Sequence, residues 1–240
     1  MGEAIASSKW TPEVRRLVVK RLVQLGVYVI ITSLILFGTA GTINWFGAWA
    51  YLAVYLGMIA VNAAFILPRN PELIAERAEA KENVKGWDRI LVPAIVYGCF
   101  VGGYVVAGLD KRFGWTGEVP AWVIALGLVF VAAAYALTCW AMITNSFFAA
   151  YVRIQDDRGH HVITTGPYAY IRHPAYAAGN VAFLGFPMLL GTYYAFIPAV
   201  LGAVLTIVRT ALEDRTLQAE LPGYKEYAGM VRYRLLPRVW

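Results

Sequence analysis

The chain has 240 residues, of which 59% are hydrophobic and only 15% charged, with a formal net charge of +6. Soluble domains carry about a quarter charged residues, so this composition, with a mean hydropathy of +0.56, argues against an ordinary soluble enzyme domain. Apolar runs of the length that crosses a bilayer as a helix recur along the chain, and the alternation expected of a membrane β-barrel is absent.

Residues 8–21 read as an interfacial helix: Thr11 suits the cap, Pro12 the first helical position, and basic residues mix with Leu17, Val18 and Val19. The first span is Leu22–Ala40. Its apolar run is longer than that of a signal peptide and further spans follow, so it is expected to stay uncleaved. The second span is Trp45–Leu67. A short helix is predicted from Asn70-Pro71 to near Gly86, with Trp87 at headgroup level. The third span, Ile90–Leu109, carries Gly98 and Gly102 four apart, a spacing that permits close helix packing. Ala121–Thr144 is the fourth. The fifth, Tyr176–Leu190, is short, and only Gly191-Thr192-Tyr193 separates it from the sixth, Tyr194–Leu212, so these two form a tight hairpin. Cys99 and Cys139 lie inside spans and read as small apolar packing residues.

The fold expected is therefore all-α and polytopic, with about six transmembrane helices in one membrane domain. Residues 1–150 are mainly scaffold, and 151–240 carry the cofactor-binding and catalytic region. Nineteen of the 21 Lys and Arg residues fall in the two termini and the second-to-third and fourth-to-fifth connections, which puts both termini in the cytoplasm. Topology and anionic headgroups account for the basic balance, so no nucleic acid partner is implied.

Two polar clusters stand out, both on the cytoplasmic side. The first runs from His160 to Tyr176. Gly166-Pro167 marks a turn; Pro174 starts the fifth helix with His173 as its cap, and the free N–H groups of that start attract anions. Arg172 adds positive charge, and Tyr168, Tyr170 and Tyr176 add aromatic faces. The second cluster is Arg209, Glu213 and Asp214 at the cytoplasmic end of the last span. Arg209 and Glu213 share one helical face and are expected to form a buried ion pair. The hairpin brings both clusters to one pocket, the default binding-site arrangement.

The stretch from His160 to Tyr176, followed by Arg209-x-x-x-Glu213 and by Gly223-Tyr224-x-x-Tyr227, resembles the isoprenylcysteine carboxyl methyltransferase family. The related phospholipid methyltransferases share the broad pattern. The resemblance covers mainly residues 150–240. It implies S-adenosylmethionine as cofactor, held by His160, His161, Val162, Ile163, Tyr168, His173, Pro174, Ala175, Tyr176 and Glu213. Gln155 is a further implied contact, at a spacing that differs from the family's. Arg209 matches the arginine beside the methyl acceptor, so Arg209 and Glu213 are the implied catalytic pair. The acceptor is lipophilic, an isoprenylcysteine-like carboxylate among the options. Asp214 stands where the family has a second glutamate, and the tail from Val231 to Pro237 departs from the eukaryotic ending.

Such chemistry suits these residues. Methyl transfer is an in-line displacement, so the protein must mainly align the acceptor and exclude water. A carboxylate acceptor is ionised at neutral pH and needs no base, and Arg209 can orient it through two parallel hydrogen bonds. An amine or thiol acceptor needs a proton acceptor, for which Glu213 is nearest. His160, His161 and His173 fit no common zinc spacing, so no metal is expected. Two other functions compete. A membrane sterol-type reductase would hold NADPH through Arg172 and Arg232. A non-catalytic membrane protein would have no cofactor affinity.

Overall fold

The computed structural model describes residues 10–79 and 83–240. Among these residues it is helical, without strands. Five helices are long and apolar enough to span a bilayer: α1 (Pro12–Ala40), α2 (Phe46–Phe65), α4 (Asp88–Phe113), α5 (Ala121–Thr144) and α7 (Phe196–Glu220). Between them lie the short α3 (Pro71–Glu76) and the 17-residue α6 (Pro174–Leu190), and α8 (Tyr224–Met230) follows. At about 1.5 Å per residue, α6 falls short of the roughly 30 Å hydrocarbon core. The chain is a polytopic helical membrane protein.

The start of α1 follows its sequence signals. Thr11 Oγ1 accepts a hydrogen bond from the Val14 N–H at 3.1 Å, and Pro12 opens the helix. The interfacial segment and the first span are nevertheless one helix of 29 residues, not two elements. Gly26 is the sole glycine between Pro12 and Leu36, and one glycine costs a helix only about 1 kcal/mol. Residues 8 and 9 of the predicted interfacial helix lie outside the described residues. The helix expected to run from Asn70 to near Gly86 has its cap, Asn70 Oδ1 accepting from the Leu73 N–H at 3.2 Å, but ends at Glu76. Residues 80–82 of that prediction are also outside the described residues.

Within α4, Pro93 cannot donate to the helical ladder. The stretch that follows, Ala94–Val101, is π-helical before α-helix resumes at Gly102. This widened turn changes which glycines meet a neighbour. A Cβ on Gly98 would meet open space, and one on Gly102 would meet only the Tyr97 carbonyl, at 3.9 Å. The close approaches are instead at Gly103, where a Cβ would stand 2.7 Å from Phe186 Cζ, and at Gly108, against Thr39. The expected packing role of Gly98 and Gly102 thus passes to the following turns. Cys99 and Cys139 are buried free thiols.

The two ends of the bundle differ in character. At one end the Trp45 indole donates to the Leu190 carbonyl at 3.0 Å, joining the start of α2 to the end of α6. There the Tyr193 N–H donates to Thr116 Oγ1 at 2.9 Å, and Thr116 N–H donates to the buried Asp110 at 2.7 Å. Gly191, in the left-handed region at φ 69°, closes α6 and permits the short turn into α7. At the other end lie the long connections 66–87 and 145–173 and the tail. They are stitched together by backbone pairs: Lys85 N–H to Val152 O at 3.0 Å, Arg172 N–H to Tyr233 O and His173 N–H to Arg234 O, both at 2.9 Å.

Candidate active site

The polar end encloses a cavity of about 850 Å³, large enough for a cofactor and part of a second molecule. Every residue implied as a cofactor contact or catalytic group lines it, from Gln155 and the His160–Ile163 stretch to Arg209 and Glu213, whereas Tyr170, expected to add an aromatic face, is exposed outside it, and Asp214 is buried beneath it. Their surroundings differ from expectation in four places.

The first concerns Arg209. It does not pair with Glu213. Its Nε donates to Asp88 Oδ1 at 2.7 Å and its Nη2 to Asp88 Oδ2 at 2.9 Å, and Nη2 also donates to the Ala150 carbonyl at 2.9 Å. Asp88 is fully buried at the start of α4 and also accepts from the Val152 N–H at 2.7 Å. A carboxylate with no access to water requires a cation, and Arg209 is its ion-pair partner. The guanidinium lies over the Tyr176 ring at 5.0 Å. With Nε and Nη2 engaged, only Nη1 remains, so the expected two-pronged grip on an acceptor carboxylate is not open to Arg209.

Glu213, freed from Arg209, is the second. It accepts a short hydrogen bond from the Tyr176 hydroxyl. Both residues line the cavity, as does Tyr168.

The third concerns the start of α6. His173 occupies the cap position but its side chain makes no capping hydrogen bond. Its Nε2 lies 3.2 Å from Asp214 Oδ1 and 3.3 Å from the Tyr224 hydroxyl. Arg172, expected to add anion-attracting charge there, donates to both oxygens of Asp214 at 2.7 and 3.0 Å and to the Val231 and Arg232 carbonyls. Arg234 Nε and Gln218 Nε2 both reach Asp214 Oδ2 at 2.8 Å. Asp214 has no solvent exposure, and this ring of donors compensates it. The pairing also raises the Arg172 pKa against the opposing effect of its burial. Arg172 is therefore committed to Asp214 rather than free for a phosphate, which removes one of the two residues that an NADPH reading needs. The sequence places Asp214 in the polar cluster with Arg209 and Glu213, as a departure from the family's second glutamate. Asp214 is the residue that fastens the tail and α8 under the site.

The fourth is the loop 145–163. Gln155 Nε2 donates to the Phe147 carbonyl at 2.6 Å, and its Oε1 accepts from Arg158 Nη1 at 2.5 Å. Both ends of this side chain are thus held within the protein. His160 Nδ1 accepts from the Gln155 N–H at 3.3 Å, and its ring packs on Phe147 with centroids 4.7 Å apart. Burial, reinforced by the nearby His161, Arg153 and Arg158, lowers the His160 pKa to about 4. His160 is therefore neutral near pH 7. Tyr168 is held by Asn145 Nδ2 at 3.2 Å on its hydroxyl and by the Tyr227 hydroxyl at 2.7 Å on its carbonyl. Burial raises the pKa of its phenol.

The cavity also takes walls from the amino-terminal half that sequence reasoning did not assign to a site. Tyr28, Tyr51, Tyr104 and Tyr135 join hydroxyl to hydroxyl across four helices, with O···O distances of 3.2, 2.5 and 3.2 Å. The signal was a set of polar-tipped aromatics at positions within spans, which burial alone would not select. Asp88 was legible in a similar way, as a carboxylate at the edge of a span.

No curated protein matches the chain. Residues 125–219, which carry most of α5 and α7 and all of α6, match the model of the isoprenylcysteine carboxyl methyltransferase (ICMT) family, the family that the sequence resembles, and that match supports a membrane methyltransferase.

Proposed function

We propose that the protein is an S-adenosylmethionine-dependent methyltransferase acting on a lipophilic acceptor, with the cofactor end of its cavity and both termini facing the cytoplasm. The observation that carries this reading is one cavity lined both by the loop His160–Ile163 and by tyrosines of the spans. A water-soluble cofactor and a membrane-borne acceptor need a chamber bounded by both kinds of wall.

The residues present fit this cofactor. Phe147, Val162 and Leu217 offer apolar and aromatic surface for a purine, and Glu213, whose hydrogen-bond donor is Tyr176, has acceptor capacity left for a ribose hydroxyl or an ammonium. The cofactor supplies a methyl already activated on a sulfonium. The chain's own task is alignment and exclusion of water. Tyr176, clamped between Glu213 and the Arg209 guanidinium, presents a fixed aromatic face. Neutral His160 would add no cation to a chamber that has to hold a sulfonium. The Asp214 network fixes the start of α6, on which Tyr176 stands.

The test is incubation of purified protein with methyl-tritiated S-adenosylmethionine and a total lipid extract. The expected result is label in the organic phase, lost in Glu213→Ala. Absence of label with every lipid and prenylated fraction would contradict the proposal.

A further inference from the structure

The cations lining the cavity are unequally compensated. Arg153 pairs with Glu76 and Asp157, Arg172 with Asp214, and Arg209 with Asp88. Among the described residues, Arg21 and Arg77 have no carboxylate partner. Arg21 donates only to Gln24 Oε1, at 3.3 Å. Arg77 stacks over Phe148 at 5.1 Å, and its Nη1 is buried with no hydrogen-bond partner at all. Burial and the like charges of Arg21 and Arg209 lower the Arg77 pKa. A buried guanidinium without a counter-charge is costly unless something binds it.

We propose that Arg77, with Arg21, is the cation that binds the anionic head of an amphiphilic acceptor. This rests on the methyltransferase reading above and assigns the acceptor-recognising cation to Arg77 rather than to Arg209. The guanidinium fork matches a carboxylate or phosphate, and among the described residues no carboxylate holds the Arg77 fork as Asp88 holds that of Arg209. Arg77 feels the charges of Tyr176, Arg209, Tyr55 and Arg21, and it lines the same cavity as Glu213 and the tyrosines of the spans. Leu25, Val92, Val96 and Phe100 line the same cavity and supply an apolar wall for a hydrocarbon tail. Arg77 leaves α3 and Arg21 stands on α1, so this part of the site comes from outside the region that matches the family model.

The experiment measures binding of radiolabelled dodecanoate and dodecanol, and calorimetric binding of S-adenosylhomocysteine, to the full chain in neutral detergent. The wild-type protein is expected to bind dodecanoate at least tenfold more tightly than dodecanol. Arg77→Met removes that preference, Arg77→Lys keeps most of it, and Arg21→Met weakens it at least threefold. S-adenosylhomocysteine affinity stays within twofold throughout. Equal binding of dodecanoate and dodecanol by the wild type would overturn the proposal, as would a preference that survives in Arg77→Met. Parallel loss of S-adenosylhomocysteine in Arg77→Met would reassign the guanidinium to the cofactor and overturn it equally. Displacement of dodecanoate by dioleoylphosphatidylglycerol would assign the pair to bilayer lipid instead and overturn the acceptor role. Arg77-dependent dodecanoate binding without any S-adenosylhomocysteine binding would leave the anion site standing and refute the methyltransferase reading. Should Arg77→Met fail to fold, the Arg21→Met and Arg77→Lys arms decide the matter.

Discussion

Asp88 and Arg209, 121 positions apart, form a two-pronged ion pair at 2.7 and 2.9 Å between the start of α4 and α7. Asp88 is fully buried, so removing one partner strands a charge. Asp88→Leu and Arg209→Met are each expected to destabilise the protein by about 3–5 kcal/mol, and Asp88→Leu/Arg209→Met to recover part of that loss without recovering methyl transfer. Denaturation midpoints of the two single variants and the double variant check this. Additive losses would show that the pair is not coupled.

Asp214 makes a related prediction at the tail. It gathers Arg172, His173, Gln218, Tyr224 and Arg234. Asp214→Asn leaves buried cations without their counter-charge and should cost about 3–5 kcal/mol. Tyr224→Phe removes the hydroxyl's hydrogen bond to Asp214 and its contact with His173 Nε2, and should cost about 1.5–3 kcal/mol. Thermal unfolding in detergent ranks the two.

The lowered pKa of His160 gives a pH dependence. Its folded value is about 4 against 6.5 for a free imidazole. Between those values the unfolded chain binds the extra proton, so the stability attached to neutral His160 is complete above pH 6.5 and is lost as pH falls towards 4. The difference in unfolding midpoint between wild type and His160→Gln should shrink over that interval. A difference that is constant from pH 7 to 4 would contradict the assignment.

Glycine positions separate packing from coincidence. A Cβ on Gly127 would collide with the Leu189 backbone, which cannot yield as a side chain can, whereas one on Gly98 meets open space. Gly127→Ala should lower the unfolding midpoint by several degrees. Gly98→Ala should change stability by less than about 0.5 kcal/mol.

What the sequence reveals here follows from the range of each interaction. The spans, the Thr11 and Asn70 caps and the α6–α7 hairpin are local signals, readable from apolar run length, cap chemistry and Gly191. The meeting of the His160–Tyr176 stretch with Glu213 is also legible, because the hairpin forces the start of α6 and the end of α7 together. Partner choice is not. Arg209 and Glu213 sit at pairing distance on one helix, yet a desolvated Asp88 on another helix takes the guanidinium. The same holds for Arg172, whose charge looks free in a linear reading until Asp214 is found beneath it. The π-helical turn after Pro93 moves the close contacts of α4 to Gly103 and Gly108, a register change that residue spacing does not encode.

Central to this account is that the chamber around Glu213 and Tyr176 holds the methyl donor. Isothermal titration of the purified protein with S-adenosylhomocysteine tests it most directly. Saturable one-site binding, weakened at least tenfold by Glu213→Ala and less by Tyr176→Phe, is the predicted result. No binding to the wild-type protein, or equal affinity in Glu213→Ala, would contradict it.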